Sequence, residues 1–280
     1  MIDRSRILTT GAEGMVGSYV DFGIRTDEKE LDILDREETM RMVRTHAPQA
    51  IIHLAAATDL DRSEKSPEYA YELNAIGTYN IALAARDVGA TLVLASTSGI
   101  FNGKKTTPYT TNDEPDPQNY YARSKHIAEL IVGGFLPDFI IARGCWMFGG
   151  GPQKDARFVG AIVKQLKNPE IKALDDVTGS PTYAKDFVAG ILALLDSGTR
   201  GICHVGNTGA CTRFDVAKHI VATLKPSVRV AAVQGEYFNL PAARLKNEAM
   251  ISDPSLMRPW QEALTEYLET EWKEYFQNKL

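Results

Sequence analysis

The segment Thr10-Gly11-Ala12-Glu13-Gly14-Met15-Val16-Gly17 constrains this chain more than any other. It follows the apolar stretch Arg6 to Thr10, which reads as a buried strand, and it runs into a helical pattern that includes Gly17. Glycines at this spacing let the backbone turn sharply and bring main-chain amides close to a ligand. A strand–turn–helix of that kind suits a diphosphate at the helix N-terminus. The plain alternative is a tight turn with no ligand. The GxxGxxG spacing differs from the GxGxxG of the classical dinucleotide fingerprint.

The rest of the first half agrees with a phosphate-binding sheet. Ala50-Ile51-Ile52-His53-Leu54, Thr91-Leu92-Val93-Leu94-Ala95 and Phe139-Ile140-Ile141-Ala142-Arg143 read as buried strands. Helical patterns separate them: Asp35 to about His46, with Glu38 completing a capping box; about Pro67 to Val88; and about Tyr120 to Val132. Strands alternating with helices imply right-handed βαβ crossovers and a parallel sheet. The expected fold is α/β, a Rossmann-like doubly wound parallel sheet with a small C-terminal substrate-binding lobe. Residues 1–148 would be mainly the dinucleotide-binding core. Residues 149–280 would be mainly the lobe, with some segments returning to the core; Gly201 to Val205 reads as a further strand, and Trp260 to Lys279 would form a terminal helix.

The second informative feature is Tyr121-Ala122-Arg123-Ser124-Lys125. Tyr-xxx-Lys spans one helical turn, so both side chains project from one face. A nearby ammonium favours tyrosinate and would bring the phenol toward neutrality, ready to exchange a proton with a substrate oxygen. The pattern alone is weak. Tyr275 and Lys279 repeat it in the terminal helix, where no phosphate turn is near. Context supports Tyr121: Thr97, in Ser96-Thr97-Ser98, follows the third buried strand. It would emerge at the carboxyl edge of the sheet, where sites of this architecture lie.

The second strand is short, with Gly23 to Thr26 its only candidate. Arg25 could face a 2′-phosphate, while Asp27 or Glu28 could accept from a 2′-hydroxyl or simply be solvated. Arg25 favours NADP(H) with NAD(H) still open. The net charge of −5 argues against nucleic acid, which needs a clustered basic surface. Cys145, Cys203 and Cys211 lack metal or disulfide spacing and read as unpaired cytosolic thiols. No metal site is expected. The polar start and the lack of a long apolar run lead to a cytoplasmic expectation with no membrane partner.

Read together, these segments resemble the extended short-chain dehydrogenase/reductases, and within them the dTDP-4-dehydrorhamnose reductase family. Leu31-Asp32-Ile33-Leu34-Asp35 is similar to that family's LDITD, Pro48 to Thr58 to PDVVINAAAYT, and Asp61-Arg62-Ser63-Glu64 to DKAE. Asn74 with Gly77-Thr78 is similar to NxxGTxN, Ser96 to Gly103 to STDYVFDG, and Arg143 to Gly149 to RTSWVYG. Gly179-Ser180-Pro181-Thr182-Tyr183-Ala184 matches GSPTYA without a change. The likeness implies NADPH-dependent reduction of the C4 keto group of a nucleotide-linked 4-dehydro-6-deoxy-hexose, nominally dTDP-4-dehydro-L-rhamnose. Its cofactor set would be Gly11, Gly14, Met15, Val16, Gly17, Arg25, Asp32, Ile33, Ala55, Ala56, Ala57, Ala95, Tyr121 and Lys125. Thr97, Tyr121 and Lys125 would be catalytic, and Thr97, Ser98 and Trp146 would touch the sugar nucleotide. A homodimer is compatible with this reading. A related epimerase and a non-catalytic NADP-binding regulatory subunit are the alternatives.

The chain departs from the family pattern in places. Ser98-Gly99 replaces the usual Asp-Tyr, Gly144-Cys145 replaces Thr-Ser, and the stretch from Gly17 to Leu31 is shortened. Loss of a carboxylate and a phenol beside Thr97 predicts a roomier sugar pocket.

Overall fold

The computed structural model describes residues 1–238, 241–273 and 275. The apolar runs form β1 (Ile7–Thr10), β2 (Ile24–Thr26), β3 (Ala50–His53), β4 (Thr91–Thr97), β5 (Phe139–Gly144) and β6 (Gly201–His204). They pair in the order β6-β5-β4-β3-β1-β2, every pair parallel. The chain leaves β1 for the edge strand β2 and returns to β3 on the other side of β1. The order therefore reverses between β1 and β3, which opens a crevice at their carboxyl ends.

Side-chain alternation covers both faces of the sheet. Leu8, Ile51, Leu92, Leu94 and Ile141 pack with Val43, Ile81, Ala82, Ala128 and Val132 of the helices Arg36–His46, Thr78–Val88 and Tyr120–Phe135. Ile7, Ile52, Val93, Ile140 and Ala142 pack with Phe187, Ile191, Leu194 and Leu195 of the helix Ala184–Ser197. This is the Rossmann-like α/β sheet that the alternation of strands and helices predicts.

Three local expectations need correction. Gly17 does not lie in a full helix: a single 3₁₀ turn, Gly17–Tyr19, follows the glycine segment. The chain must reach β2 by Ile24, which leaves no length for a crossover helix. Val16 and Phe22 instead pack onto the face that the helix Ala184–Ser197 covers. The capping box at Asp35 is half made. Its carboxylate accepts from the Glu38 N–H at 2.9 Å, but Glu38 accepts from the Asp32 N–H rather than the Asp35 N–H.

The helix expected from Pro67 to Val88 is interrupted by a π turn, Glu72–Gly77, between Pro67–Tyr71 and Thr78–Val88. A Cβ on Gly77 would stand 2.5 Å from Cδ1 of Ile33, so the turn sits directly on the core at that point. The terminal helix runs over Trp260–Glu271. Its expected continuation to Lys279 reaches residues 274 and 276–280, which lie outside the described residues, as does the Lys279 end of the second Tyr-xxx-Lys match.

Beyond Gly149 the chain builds a second apolar cluster around Phe148, Ile162, Tyr183, Ile220, Leu264, Tyr267 and Trp272. Polar contacts dock it on the glycine segment. Tyr19 and Tyr183 both donate to Glu271 Oε1, at 2.6 and 2.5 Å, and Gly150 N donates to the Tyr19 hydroxyl at 2.6 Å. Among the described residues, no helix is long and apolar enough to cross a membrane.

Candidate active site

The glycine segment lies in the crevice between β1 and β3, and its glycines are required by backbone proximity. Gly11 has φ 70°, and a Cβ there would stand 2.6 Å from Ala55 N. A Cβ on Gly17 would stand 2.3 Å from Gly11 O. The turn is thus pressed onto itself and onto the Leu54–Ala55 backbone, a cradle that side chains would fill. Around it, the Thr10 hydroxyl meets His53 Nδ1 at 2.7 Å and His53 Nε2 meets the Thr78 hydroxyl at 3.1 Å. Burial, and then the Lys125 charge, push His53 down to about 3, so it joins these elements as a neutral ring.

The loop Ala55-Ala56-Ala57 is held from the π turn. Asn74 Oδ1 accepts from Ala57 N at 2.8 Å, and its amide donates to Ala57 O at 3.0 Å and to the Ser124 hydroxyl at 2.8 Å. Ser124 in turn donates to Tyr121 O at 2.8 Å. One buried amide therefore sets the cofactor-side loop against the helix that carries Tyr121 and Lys125. Ile33 packs in the core below Gly77, and the Asp32 carboxylate accepts from Leu34 N at 2.9 Å. Met15 lends its carbonyl to Ser18.

Thr97 ends β4, and its hydroxyl accepts from Gly99 N at 3.1 Å and lies near enough to the Tyr121 phenol to favour its ionised form. Lys125 is 4% exposed and donates from Nζ to Ala95 O at 2.7 Å. The three side chains expected from the sequence are brought together at the sheet edge. Their protonation differs from the expectation. Burial raises the Tyr121 phenol above its ordinary value, outweighing the opposing pull of the Thr97 hydroxyl and of the Arg157 charge. Burial also lowers Lys125 to about 8. For each group burial outweighs the favourable contributions around it, so the phenol is not brought toward neutrality.

A stability consequence follows for Lys125. Its folded value near 8 lies below the ordinary 10.5. Between those pH values the unfolded chain holds a proton that the folded chain does not, so stability rises with pH through that window. At pH 7 the buried charge is a cost. Lys125→Met is expected to stabilise the fold at pH 7 by about 2 kcal/mol, once about 1 kcal/mol for the lost hydrogen bond is subtracted. Calorimetry should show a Tm higher by roughly 3–4 °C at pH 7 and a gap that narrows toward pH 10. A lower Tm at pH 7 would contradict it.

Arg25 projects from β2 across the glycine turn, donating to Ala12 O at 3.2 Å and pairing with Glu13 at 3.4 Å. The Asp27 carboxylate is occupied by Glu13 N and Glu28 N, both at 2.8 Å, and caps the local turn. Two cations missed by the sequence reading come from the segment after Gly151. Lys154 Nζ donates to Glu13 O at 2.6 Å, and Arg157 donates to Thr58 O and Oγ1 at 3.1 and 2.6 Å.

The opposite wall holds Trp146, whose φ of 44° is left-handed. A Cβ on Gly179 would stand 2.3 Å from the Trp146 ring, so the glycine that opens Gly179 to Ala184 is what lets the indole lie flat there. Arg213 stacks on the indole, its guanidinium 3.9 Å from the Trp146 ring centre and 4.5 Å from that of Phe158. Glu248 was not anticipated. Its Oε2 accepts from the Ser98 hydroxyl and its Oε1 from Trp146 Nε1, both at 3.3 Å. The pocket beside Thr97 therefore does not lack a carboxylate, as the Ser98-Gly99 pair suggests; the carboxylate arrives from a distant segment. Nothing in the local sequence around Glu248 signals this role.

A glycine cradle at the switch point and a hydroxyl–phenol–ammonium set at the end of β4 define a Rossmann-type, NAD(P)-dependent oxidoreductase. The model for the RmlD substrate binding domain matches residues 5–272, and the chain belongs to that family. It is 30% identical to the spore coat polysaccharide biosynthesis protein SpsK of Bacillus subtilis strain 168 over 279 residues, 95% of this chain and 97% of SpsK. It is 34% identical to a dTDP-4-dehydrorhamnose reductase of Mycobacterium tuberculosis over 281 residues, 92% of this chain and 91% of that one. The dTDP-4-dehydrorhamnose reductase of Bacillus anthracis, solved in complex with NADP, superposes with a TM-score of 0.89 at 33% identity, covering 95% of this chain and 99% of that one.

Proposed function

We propose that this protein reduces the C4 keto group of a dTDP-linked 4-dehydro-6-deoxy-hexose with NADPH, nominally dTDP-4-dehydro-L-rhamnose to dTDP-L-rhamnose. The observation that supports this most is the approach of Thr97, at the carboxyl end of β4, to the buried Tyr121 phenol, with Lys125 one helical turn further on. The glycine turn fits the cofactor: Gly11 and Gly17 are pressed so closely on neighbouring backbone that no side chain could stand there, and a turn that tight would present main-chain amides to a diphosphate. Ala55, Ala56 and Ala57 would flank it, and Lys125 would hold the ribose. When bound, the reduced nicotinamide supplies a hydride. Thr97 would donate to the substrate carbonyl and orient it. Tyr121 would release its phenolic proton to the same oxygen as charge develops there. Burial of the phenol keeps that proton in place at neutral pH. Residues 149–280 would serve mainly as the substrate lobe, with Trp146 at its border. A second copy of the chain belongs to this reading, and sedimentation at assay concentration tests it.

The test of the activity is NADPH oxidation against a panel of nucleotide-linked 4-keto-6-deoxy-sugars. Turnover with a dTDP-linked member is expected. No turnover with any member, or epimerisation with a cofactor that stays bound through dialysis, would overturn the reading.

Arg25 carries the expected preference between cofactors. Its contact with Glu13 is an exposed ion pair, which is worth little and readily exchanged. A 2′-phosphate would offer it a charge-assisted replacement. Arg25→Ala is expected to raise the Kd for NADPH about tenfold and to leave that for NADH nearly unchanged, read by fluorescence titration. Equal losses for both cofactors would show that Arg25 does not face the ribose phosphate.

A further inference from the structure

We propose that Glu248 is a specificity-determining residue of the hexose pocket, its carboxylate accepting hydrogen bonds from sugar hydroxyls next to the reacting carbonyl. The proposal rests on the reductase reading above. Three observations carry it: how Glu248 is held, what its oxygens lack, and which charge lies opposite.

Main-chain bonds fix the segment that presents Glu248. Its N–H donates to Thr178 O at 2.8 Å, and Thr178 N donates to Lys246 O at 2.8 Å. On the other side, Tyr109 N donates to Ala249 O at 2.7 Å and Ile251 N to Tyr109 O at 2.8 Å. The Asn247 side chain ties the same segment to Lys105 O and Thr107 O. The carboxylate is therefore aimed by a backbone bonded on both flanks rather than by a free loop, as a specificity residue requires.

The carboxylate is under-used where it stands. A carboxylate offers about four acceptor positions, and Glu248 receives one bond from Ser98 and one from Trp146, each long at 3.3 Å. Ser98 is fully buried next to Thr97, and Glu248 is among the charges acting on the Tyr121 phenol. The spare acceptor capacity thus lies beside the proposed proton donor. A hydroxyl on a ring carbon adjacent to the carbonyl would find it there.

Arg213 sets the kind of group the carboxylate prefers. It lies over Trp146, and no hydrogen bond or ion pair to its guanidinium is formed among the described residues. After burial, Glu248 is the largest influence on it. A cation already faces the carboxylate, so an ammonium on the sugar would gain little, whereas a neutral hydroxyl keeps its full hydrogen bond. The pocket therefore suits a neutral hexose rather than an amino-hexose.

The test compares wild type with Glu248→Gln and Glu248→Ser. Steady-state kinetics use dTDP-4-dehydro-L-rhamnose, and calorimetry measures binding of dTDP-L-rhamnose, dTDP and NADPH. Glu248→Gln is expected to raise KM about tenfold, the usual scale for a missing polar partner, with kcat within threefold of wild type. Binding of dTDP-L-rhamnose should weaken by the same factor, and binding of dTDP and NADPH should not change. Glu248→Ser should show the same pattern more strongly. An active wild type whose KM and dTDP-L-rhamnose binding are unmoved in both variants would overturn the role of Glu248 alone. Equal weakening toward dTDP and dTDP-L-rhamnose would also overturn it, because the segment would then be merely structural. A wild type that neither turns over nor binds any nucleotide-sugar would remove the reductase reading and the proposal with it.

Discussion

Tyr121→Phe is expected to lower turnover by two orders of magnitude or more, the scale for losing a positioned proton donor, while the fold and NADPH binding stay near wild type. The phenol lies by Thr97 at the sheet edge, and burial raises it above its ordinary value, so on the proposed reading it would hold its proton at neutral pH and act as an acid in the reductive direction. Reduction should then be insensitive to pH around neutrality. The reverse oxidation needs the tyrosinate and should accelerate as pH rises. The measurement is kcat in both directions across pH, with cofactor binding and Tm as controls for the variant. Near-wild-type kcat in Tyr121→Phe would remove Tyr121 from the chemistry.

The largest effect on stability is expected one helical turn beyond Lys125. Glu129 and Arg143 form a two-point ion pair, Nε–Oε1 at 3.0 Å and Nη2–Oε2 at 2.7 Å, with side chains only 4% and 2% exposed. Glu129 Oε1 also accepts from the Ser96 hydroxyl at 2.5 Å, just before Thr97. Removing one partner leaves a buried charge uncompensated. Glu129→Ala should therefore cost about 3–5 kcal/mol, read as a fall in the urea midpoint. It should also loosen the end of β4 and reduce turnover. The double variant Glu129→Leu with Arg143→Met removes both charges and should recover most of that stability, since buried pairs often do no better than apolar replacements of similar size. A double variant as unstable as Glu129→Ala would show that the loss comes from packing rather than from the unpaired charge.

Much of the architecture was legible because it rests on local rules. Apolar runs separated by amphipathic stretches marked the five strands β1, β3, β4, β5 and β6, whereas β2, only Ile24–Thr26, was a short candidate. The glycine spacing required a backbone pressed against its neighbours, and Gly11 and Gly17 are so pressed. Tyr121 and Lys125 share a helix face by periodicity, and Thr97 follows a strand end. The first crossover helix was misjudged because a glycine turn implies one only if enough chain follows, and here β2 begins too soon. The π turn at Glu72–Gly77 has no signature in composition; only the folded backbone shows it, with Asn74 turned toward Ala57.

The sequence by itself determined the fold class, the tight glycine turn, the shared helix face of Tyr121 and Lys125 and the loop Gly179 to Ala184, because each depends on residues near one another in the chain and on conformations few residues can adopt. Only the tertiary structure decided the charge states and the far wall of the pocket. Burial raises Tyr121 and lowers Lys125, and burial is a property of everything packed around a group rather than of its neighbours in sequence. Glu248 reaches Ser98 from 150 residues away and Trp146 from 102. A contact across that distance exists only once the sheet, the lobe and the returning C-terminal segment have closed on one another, so no local pattern could announce it.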